Sequence, residues 1–176
     1  MINLLKNRRS IRKFTDEAVS KEDLQKILKA GLLSPSSMGK NPVEFIVIQD
    51  KETIAKLEEC KKFGTMPLKT APLVICILAD SELSDVWVED ASIVSILMQL
   101  EVEKLGLGST WIQIRNRECS EGDSQEAVRK VLSIPKKYGV LSLIAIGHKN
   151  EEKKPYTDED LNFEKVHYEN FNDKNN

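Results

Sequence analysis

The sequence predicts an α+β fold, a three-layer α/β/α sandwich around a mixed, mainly antiparallel sheet. Three observations carry this. Two apolar runs, "PLVICILA" (72–79) and "GVLSLIAIG" (139–147), read as strands, and the first is apolar on both faces, which suits the centre of a covered sheet. Helical patterns long enough to cover a sheet separate the strands. The elements alternate, but several lie far apart along the chain, unlike a simple βαβ series. No repeat or linker interrupts them, so residues 1–176 are read as a single domain, large enough for a real core.

Each element has a local reason. "VSKEDLQKILKAGLLS" is a helix: Ser20 and Asp23 make a capping-box-like pair, and Val19 can staple onto Leu24. Leu24, Ile27, Leu28 and Leu32 form its apolar stripe. "SPSSMGKNP" (34–42) ends it, since proline, glycine and serine are turn formers. "VEFIVIQ" (43–49) is a strand, and Asp50 caps a helix running to about Lys62 with Ile54 and Leu57 inward. From Trp87 to Leu105 a long helix carries Ala91, Val94, Met98 and Val102 at helical spacing, while Val88, Ile93, Ile96 and Leu100 fill other faces. A helix apolar nearly all round is expected to be buried, against its own sheet and a second subunit. "LGLGS" ends that helix at glycine, and "TWIQI" (110–114) is a short strand. "DSQEAVRKVLSIP" is a capped helix closed by Pro135, and the run at 139–147 is the last strand. The tail, 148–176, is polar apart from "FEKVHYENF"; it is too long for a frayed end and is expected to wrap something.

Composition narrows the function. The chain is 40% hydrophobic and 31% charged, with a net charge of −2. That is an ordinary globular mix, with no general attraction to nucleic acid or anionic membrane, so any anion site must be local. Three widely spaced cysteines with no CxxC pair point to a reduced cytoplasmic setting. Two histidines are too few for a histidine-rich metal site. No apolar run reaches the length of a membrane span or a signal peptide.

Three stretches remain as candidate sites. "KNRRSIRKF" (6–14) places Lys6, Arg8, Arg9, Arg12 and Lys13 within nine residues. It reads either as a solvated basic face or as a phosphate site, because arginine presents a planar fork that matches phosphate oxygens. In an extended segment Arg8, Ser10 and Arg12 share one face, with Arg9 opposite. "SPSSMGKNP" is either a plain helix-ending loop or a polar loop presenting hydroxyls, backbone N–H groups and the Asn41 amide to a flat heteroaromatic ring. "GLGSTWIQI" allows close backbone approach, but its lone GxG follows a helix and is no dinucleotide fingerprint. Trp111 by itself suits the core better than a stacking role.

Taken in order, "NRRSIRKF", "SPSSMGKNPVEFIVI", "DASIVSILMQLEVEKLGLGSTWIQI", "IAIGHKNEEKKP" and "KVHYENF" resemble the nitroreductase-type flavoprotein family in its short form, over nearly the whole chain. The resemblance implies a nitroreductase-like homodimer with FMN at the subunit interface and NAD(P)H as electron donor. It implies that Arg8, Arg9, Ser10 and Arg12 hold the phosphate, ribityl chain and polar ring edge. Pro35, Ser36, Ser37 and Met38, with Asn41 close by, would reach the flavin of the other subunit. Thr110, Trp111, Ile112 and Gln113 would lie along the ring, with a backbone N–H near its N5 atom, and Gly147 and Lys149 would return toward the phosphate. The helix near Ala91 would form the dimer core, and residues 148–176 would embrace the partner. The chain departs from the family pattern at Gly39, where asparagine is common, and at Val43, where an aromatic is common. Lys149, Lys153 and Lys154 stand where many relatives carry an arginine.

The implied reaction passes two electrons from NAD(P)H through the flavin to a small conjugated acceptor, a nitroaromatic or quinone, in a ping-pong cycle. It needs cationic groups near the ring's N1 and C2 carbonyl, for which Arg12 is the candidate, and no acid–base triad. Two other readings stand beside it: an FMN-binding module with little reductase activity, used for storage, sensing or specialised oxidation, and a small nucleic-acid module using the same arginines. The second lacks an aromatic-rich strand motif, since 6% of residues are aromatic.

Overall fold

A computed structural model describes residues 1–171. Its elements are α1 (Ile2–Asn7), α2 (Lys21–Leu32), β1 (Val43–Ile48), α3 (Lys51–Glu59), β2 (Leu73–Asp80), α4 (Trp87–Lys104), β3 (Gly108–Gln113), β4 (Glu118–Cys119), β5 (Gly122–Asp123), α5 (Ser124–Leu132) and β6 (Tyr138–Gly147). The main sheet has the order β1-β2-β6-β3, and all three of its strand pairings are antiparallel. Its one parallel contact is an isolated bridge between Ser10 and Ser109, so the mixed character is confined to the N-terminal segment.

The three layers follow from strand alternation. Leu73, Ile75 and Ile77 of β2 face a core shared with Ile27 of α2 and with Ala91, Val94, Met98 and Val102 of α4. Val74, Cys76 and Leu78 face the opposite core, shared with Ile54 and Leu57 of α3 and Val128 of α5. The central run expected at 72–79 is therefore buried on both sides because helices cover both. The α+β sandwich stands as expected.

Local caps form where the side chains allow. Ser20 Oγ accepts the Asp23 N–H at 3.0 Å, and Asp50 accepts the Thr53 N–H at 2.8 Å. The second of these helices stops at Glu59 rather than Lys62, because the Lys62 N–H is drawn to the Glu118 carbonyl across the fold. α1 was not expected; it has six residues and buries none of them, so it leaves no apolar stripe to read. The β4–β5 hairpin has two-residue strands, too short for a period.

α4 is covered by its own sheet and α2 on one side, as expected, while the second subunit expected on the other side is not part of this single chain. Ile93 and Ile96 remain 41% and 38% exposed on a face that none of the described residues covers. Beyond β6 the tail returns to the N-terminus and then carries Leu161, Phe163, Tyr168 and Phe171 exposed. The last five residues of the predicted tail (172–176) lie outside the described residues.

Candidate functional site

The basic segment crosses the end of the sheet. α1 ends at Asn7, where Arg8 leaves helical geometry (φ −62°, ψ 111°). Ser10 bridges to Ser109, and the Ile11 N–H donates to the Ser109 carbonyl at 3.0 Å. Phe14 then bridges to Lys149, and the Thr15 N–H donates to the His148 carbonyl at 3.0 Å. The segment thus passes over the start of β3 and then the end of β6. Two glycines paired across those strands permit the contact. A Cβ on Gly108 would lie 2.9 Å from Ile11 Cβ, and one on Gly147 would lie 3.0 Å from Phe14 Cβ. Gly147 therefore acts here by lacking a side chain.

Beside this crossing lies a cavity of about 680 Å³, lined by Asn7, Arg9, Ile11, Lys149, Lys153 and a run of polar groups between those lysines. Of the residues expected to hold the phosphate in this segment, Arg9 is the one that lines this cavity. The charges differ in how they are engaged. Lys149 Nζ meets both oxygens of Glu103 at 2.8 and 2.9 Å, Lys153 pairs with Glu151 at 3.0 Å, and Lys6 with Asp158 at 2.7 Å. Arg8, Arg9 and Arg12 make no ion pair with a carboxylate among the described residues. Arg9 donates instead to the Lys154 carbonyl and sits 4.3 Å from the centre of the Tyr156 ring. The Arg12 N–H donates to the Glu151 carboxylate and holds its pKa below the usual range. Three guanidinium groups without an ion-paired carboxylate among the described residues thus lie within five positions of one segment, in a chain whose net charge is −2.

β3 offers backbone rather than side chains. The Ile114 N–H points inward to the Leu141 carbonyl at 3.0 Å, whereas the Ser109 carbonyl points outward to Ile11. Alternation then turns the peptide groups of Trp111 and Gln113 to the open edge. The Thr110 and Ile112 side chains are buried in the sandwich. The half-buried Trp111 donates from Nε1 to Gln113 Oε1 at 2.9 Å, and Gln113 Nε2 donates to the Arg115 carbonyl at 2.8 Å.

The serine loop is a strained, internally bonded turn. Met38, Gly39 and Asn41 have φ of 52°, 67° and 48°. Its hydrogen bonds keep it there: the Asn41 N–H donates to Ser36 Oγ at 2.8 Å, and Asn41 Nδ2 donates to the Gly39 carbonyl at 3.1 Å. The Asn41 amide, expected to meet a ligand, is engaged within the loop. The Ser37 N–H donates at 2.8 Å to Asp90, which is 3% exposed and accepts Ser84 Oγ at 3.2 Å on its other oxygen. Pro35 is exposed beside Ser36, and Met38 projects with 88% of its surface free.

These parts do not meet within one chain. Asp90 holds the loop from the first turn of α4, and Glu103 holds Lys149 from its last. Thirteen residues of helix at about 1.5 Å each separate them by about 20 Å. The structure therefore brings together Arg8–Arg12, the edge of β3 and the loop after β6, and sets residues 34–42 apart.

Sequence reading did not single out Asp90, Glu103, Glu151 or Tyr156. An acid in a first helical turn reads as favourable to the helix dipole, which hides any second task. His148 lies 3.6 Å from Glu17, and His167 stacks on Phe171 at 4.3 Å between ring centres; neither lines the cavity. No group of three or more potential metal ligands occurs among the described residues. Among them, too, no helix is long and apolar enough to cross a membrane.

Comparison with known proteins agrees with this geometry. The Nitroreductase family model matches residues 5–64 and 61–148. A solved structure described as an FMN-dependent nitroreductase from Clostridium difficile R20291 is 52% identical, with a TM-score of 0.95 over 97% of this chain and 100% of its own. A protein of Archaeoglobus fulgidus, provisionally named NADH dehydrogenase/NAD(P)H nitroreductase, is 37% identical over 96% of this chain and 97% of its own length. An enzyme of Bacillus subtilis named FMN reductase, NAD(P)H, is 31% identical over 88% of this chain and 69% of its own. With the match running from the arginine segment to the end of β6, the chain belongs to the nitroreductase family.

Proposed function

We propose that this chain is an FMN-dependent NAD(P)H oxidoreductase that works as a cytoplasmic homodimer and reduces small conjugated acceptors of the nitroaromatic or quinone type. The observation that carries this reading is the set of three arginines without an ion-paired carboxylate among the described residues, at a sheet end where Lys6, Lys149 and Lys153 are each already paired. A phosphate dianion is the ligand such a set suits, since guanidinium forks match its oxygens and lose little on leaving water.

The residues fit the rest of the cofactor. FMN, when bound, supplies hydride chemistry between a nicotinamide and the acceptor. Arg8, Arg9, Ser10 and Arg12 hold its phosphate and polar edge, and Arg12 offers positive charge where the ring gains electrons. The Gln113 N–H at the open edge of β3 can donate to a ring nitrogen. Gly147 lets the arginine segment sit close, while Lys149, balanced by Glu103, shapes the cavity wall.

The dimer follows from the split just described. Residues 34–42 lie about 20 Å along α4 from their own arginine segment. A second copy related by a two-fold axis would bring its loop to this site, and the exposed Ile93 and Ile96 give α4 an apolar face on which to meet. Met38 and Pro35 would then cover the partner's ring.

The test is the absorption spectrum of freshly purified protein. A flavin band that bleaches with NADH or NADPH without oxygen, and returns on adding a nitroaromatic or quinone, is the expected result. Colourless protein that takes up no FMN would end the proposal. A band that persists with both nucleotides would favour an FMN-binding module without reductase activity.

A further inference from the structure

We propose that Tyr156 is a positioning residue that presets Arg9 for the cofactor phosphate, through a strap formed by residues 151–158; this rests on the FMN reading above. The strap is tied to the N-terminal segment at five points. The Glu151 carboxylate accepts the Arg12 N–H, and the Lys154 carbonyl accepts the Arg9 guanidinium. The Tyr156 ring lies against that guanidinium at 4.3 Å, and the Tyr156 N–H donates to the Lys6 carbonyl at 3.0 Å. Asp158 pairs with Lys6 at 2.7 Å. Just beyond, Thr157 and Asp160 close a capping box in which the Thr157 N–H donates at 2.7 Å, which stiffens the turn behind the tyrosine.

The physical consequence lies in Arg9. An arginine has five N–H donors in a rigid fork. One is engaged by the Lys154 carbonyl, and one face of the plane is covered by Tyr156. The rest of the fork stays available to the cavity that Arg9 lines with Lys149 and Lys153. A side chain held this way has less freedom left to lose when an anion arrives, so binding is tighter than the same charge on a free side chain would give. No carboxylate reaches ion-pair distance of it among the described residues, and Asp160, which feels its charge, is turned to the Thr157 N–H and hydroxyl, so the strap orients the charge without pairing it. Here α1 and the tail, which the sandwich does not need for its core, have a shared task.

The experiment titrates apoprotein with FMN, following quenching of flavin fluorescence, for the wild type, Tyr156→Leu, Tyr156→Phe, Arg9→Met and the Arg9→Met/Tyr156→Leu double variant. Hydrogen exchange at the amides of Lys154, Tyr156, Thr157 and Asp158 in the absence of FMN is the second readout. Tyr156 is 44% exposed, so neither substitution threatens folding. Tyr156→Leu should raise the Kd for FMN by roughly 3- to 30-fold, the range a cation–ring contact spans between wet and dry sites. Tyr156→Phe, which keeps the ring, should stay within about twofold. In the Arg9→Met background the leucine should add little, and in apoprotein it should speed exchange at those amides. Wild-type affinity in Tyr156→Leu, or an equal loss with Arg9 already replaced, overturns the inference. Failure of the wild type itself to take up FMN would instead overturn the proposed function, before any substitution is made.

Discussion

At Asp90 two hydrogen bonds converge on one buried carboxylate. Asp90→Ala would remove a charge that is costly to bury but would leave the Ser84 hydroxyl and the Ser37 N–H without their acceptor. Stranded donors cost about 1–3 kcal/mol each, and the relief from removing the charge is partial, so a net loss of about 2 kcal/mol is expected from urea unfolding. An unchanged midpoint would show that the serine loop holds its shape unaided. The thiols give a second residue-scale prediction. Burial pushes Cys60 up to about 11 and Cys76 up to about 12. Iodoacetamide at pH 8 should therefore spare both in the folded protein and label both in urea. The folded state keeps these protons longer than the unfolded chain does, so their contribution is complete below the ordinary thiol pKa of 9.0 and is lost as pH climbs toward 12. Asp90 was not singled out beforehand, whereas the reduced state expected for the three cysteines agrees with three free thiols. Cys119, in the short β4 strand, is buried as well.

The elements were most legible where their reasons are local. The caps at Ser20 and Asp50 were read correctly because a cap involves residues two or three apart. Asp50→Ala should cost about 1 kcal/mol in thermal or urea unfolding. That contribution should also fade on acidification, because the Thr53 hydroxyl and N–H hold the Asp50 carboxyl below its ordinary range. Gly31 poses a contest between two effects. Alanine would favour the helix by about 1 kcal/mol. Its Cβ would lie 2.8 Å from Phe45 Cζ and 3.0 Å from Met98 Sδ, and overpacking of this kind costs about 1–3 kcal/mol. Because the Phe45 ring is packed against this core, its tip has little room to give, and packing should win. Gly31→Ala is expected to lower the unfolding midpoint, and a rise would mean the core yields more than its geometry implies.

For the molecule as a whole, the open question is what covers α4 and the far tail. Exposed Ile93 and Ile96 on one helix, and a serine loop cut off from the arginines, both point to a second copy of the chain. Ile93→Asp together with Ile96→Asp should convert dimer to monomer in sedimentation, with flavin lost in parallel, because each site would lack the loop from the other subunit. A dimer that survives both changes would remove this face from the interface.

What the sequence determined by itself is the set of layers and the place of each motif on them. Apolar runs made central strands, caps and turn formers marked helix ends, and the arginine segment stood out by charge density. Only the tertiary structure decided which of those charges are free. Lys149 meets Glu103, Ser37 meets Asp90 and Arg9 meets Tyr156 across 46, 53 and 147 positions of chain. Contacts at such separations leave no local pattern, because they depend on strand order and on the length of α4 rather than on any neighbouring residue.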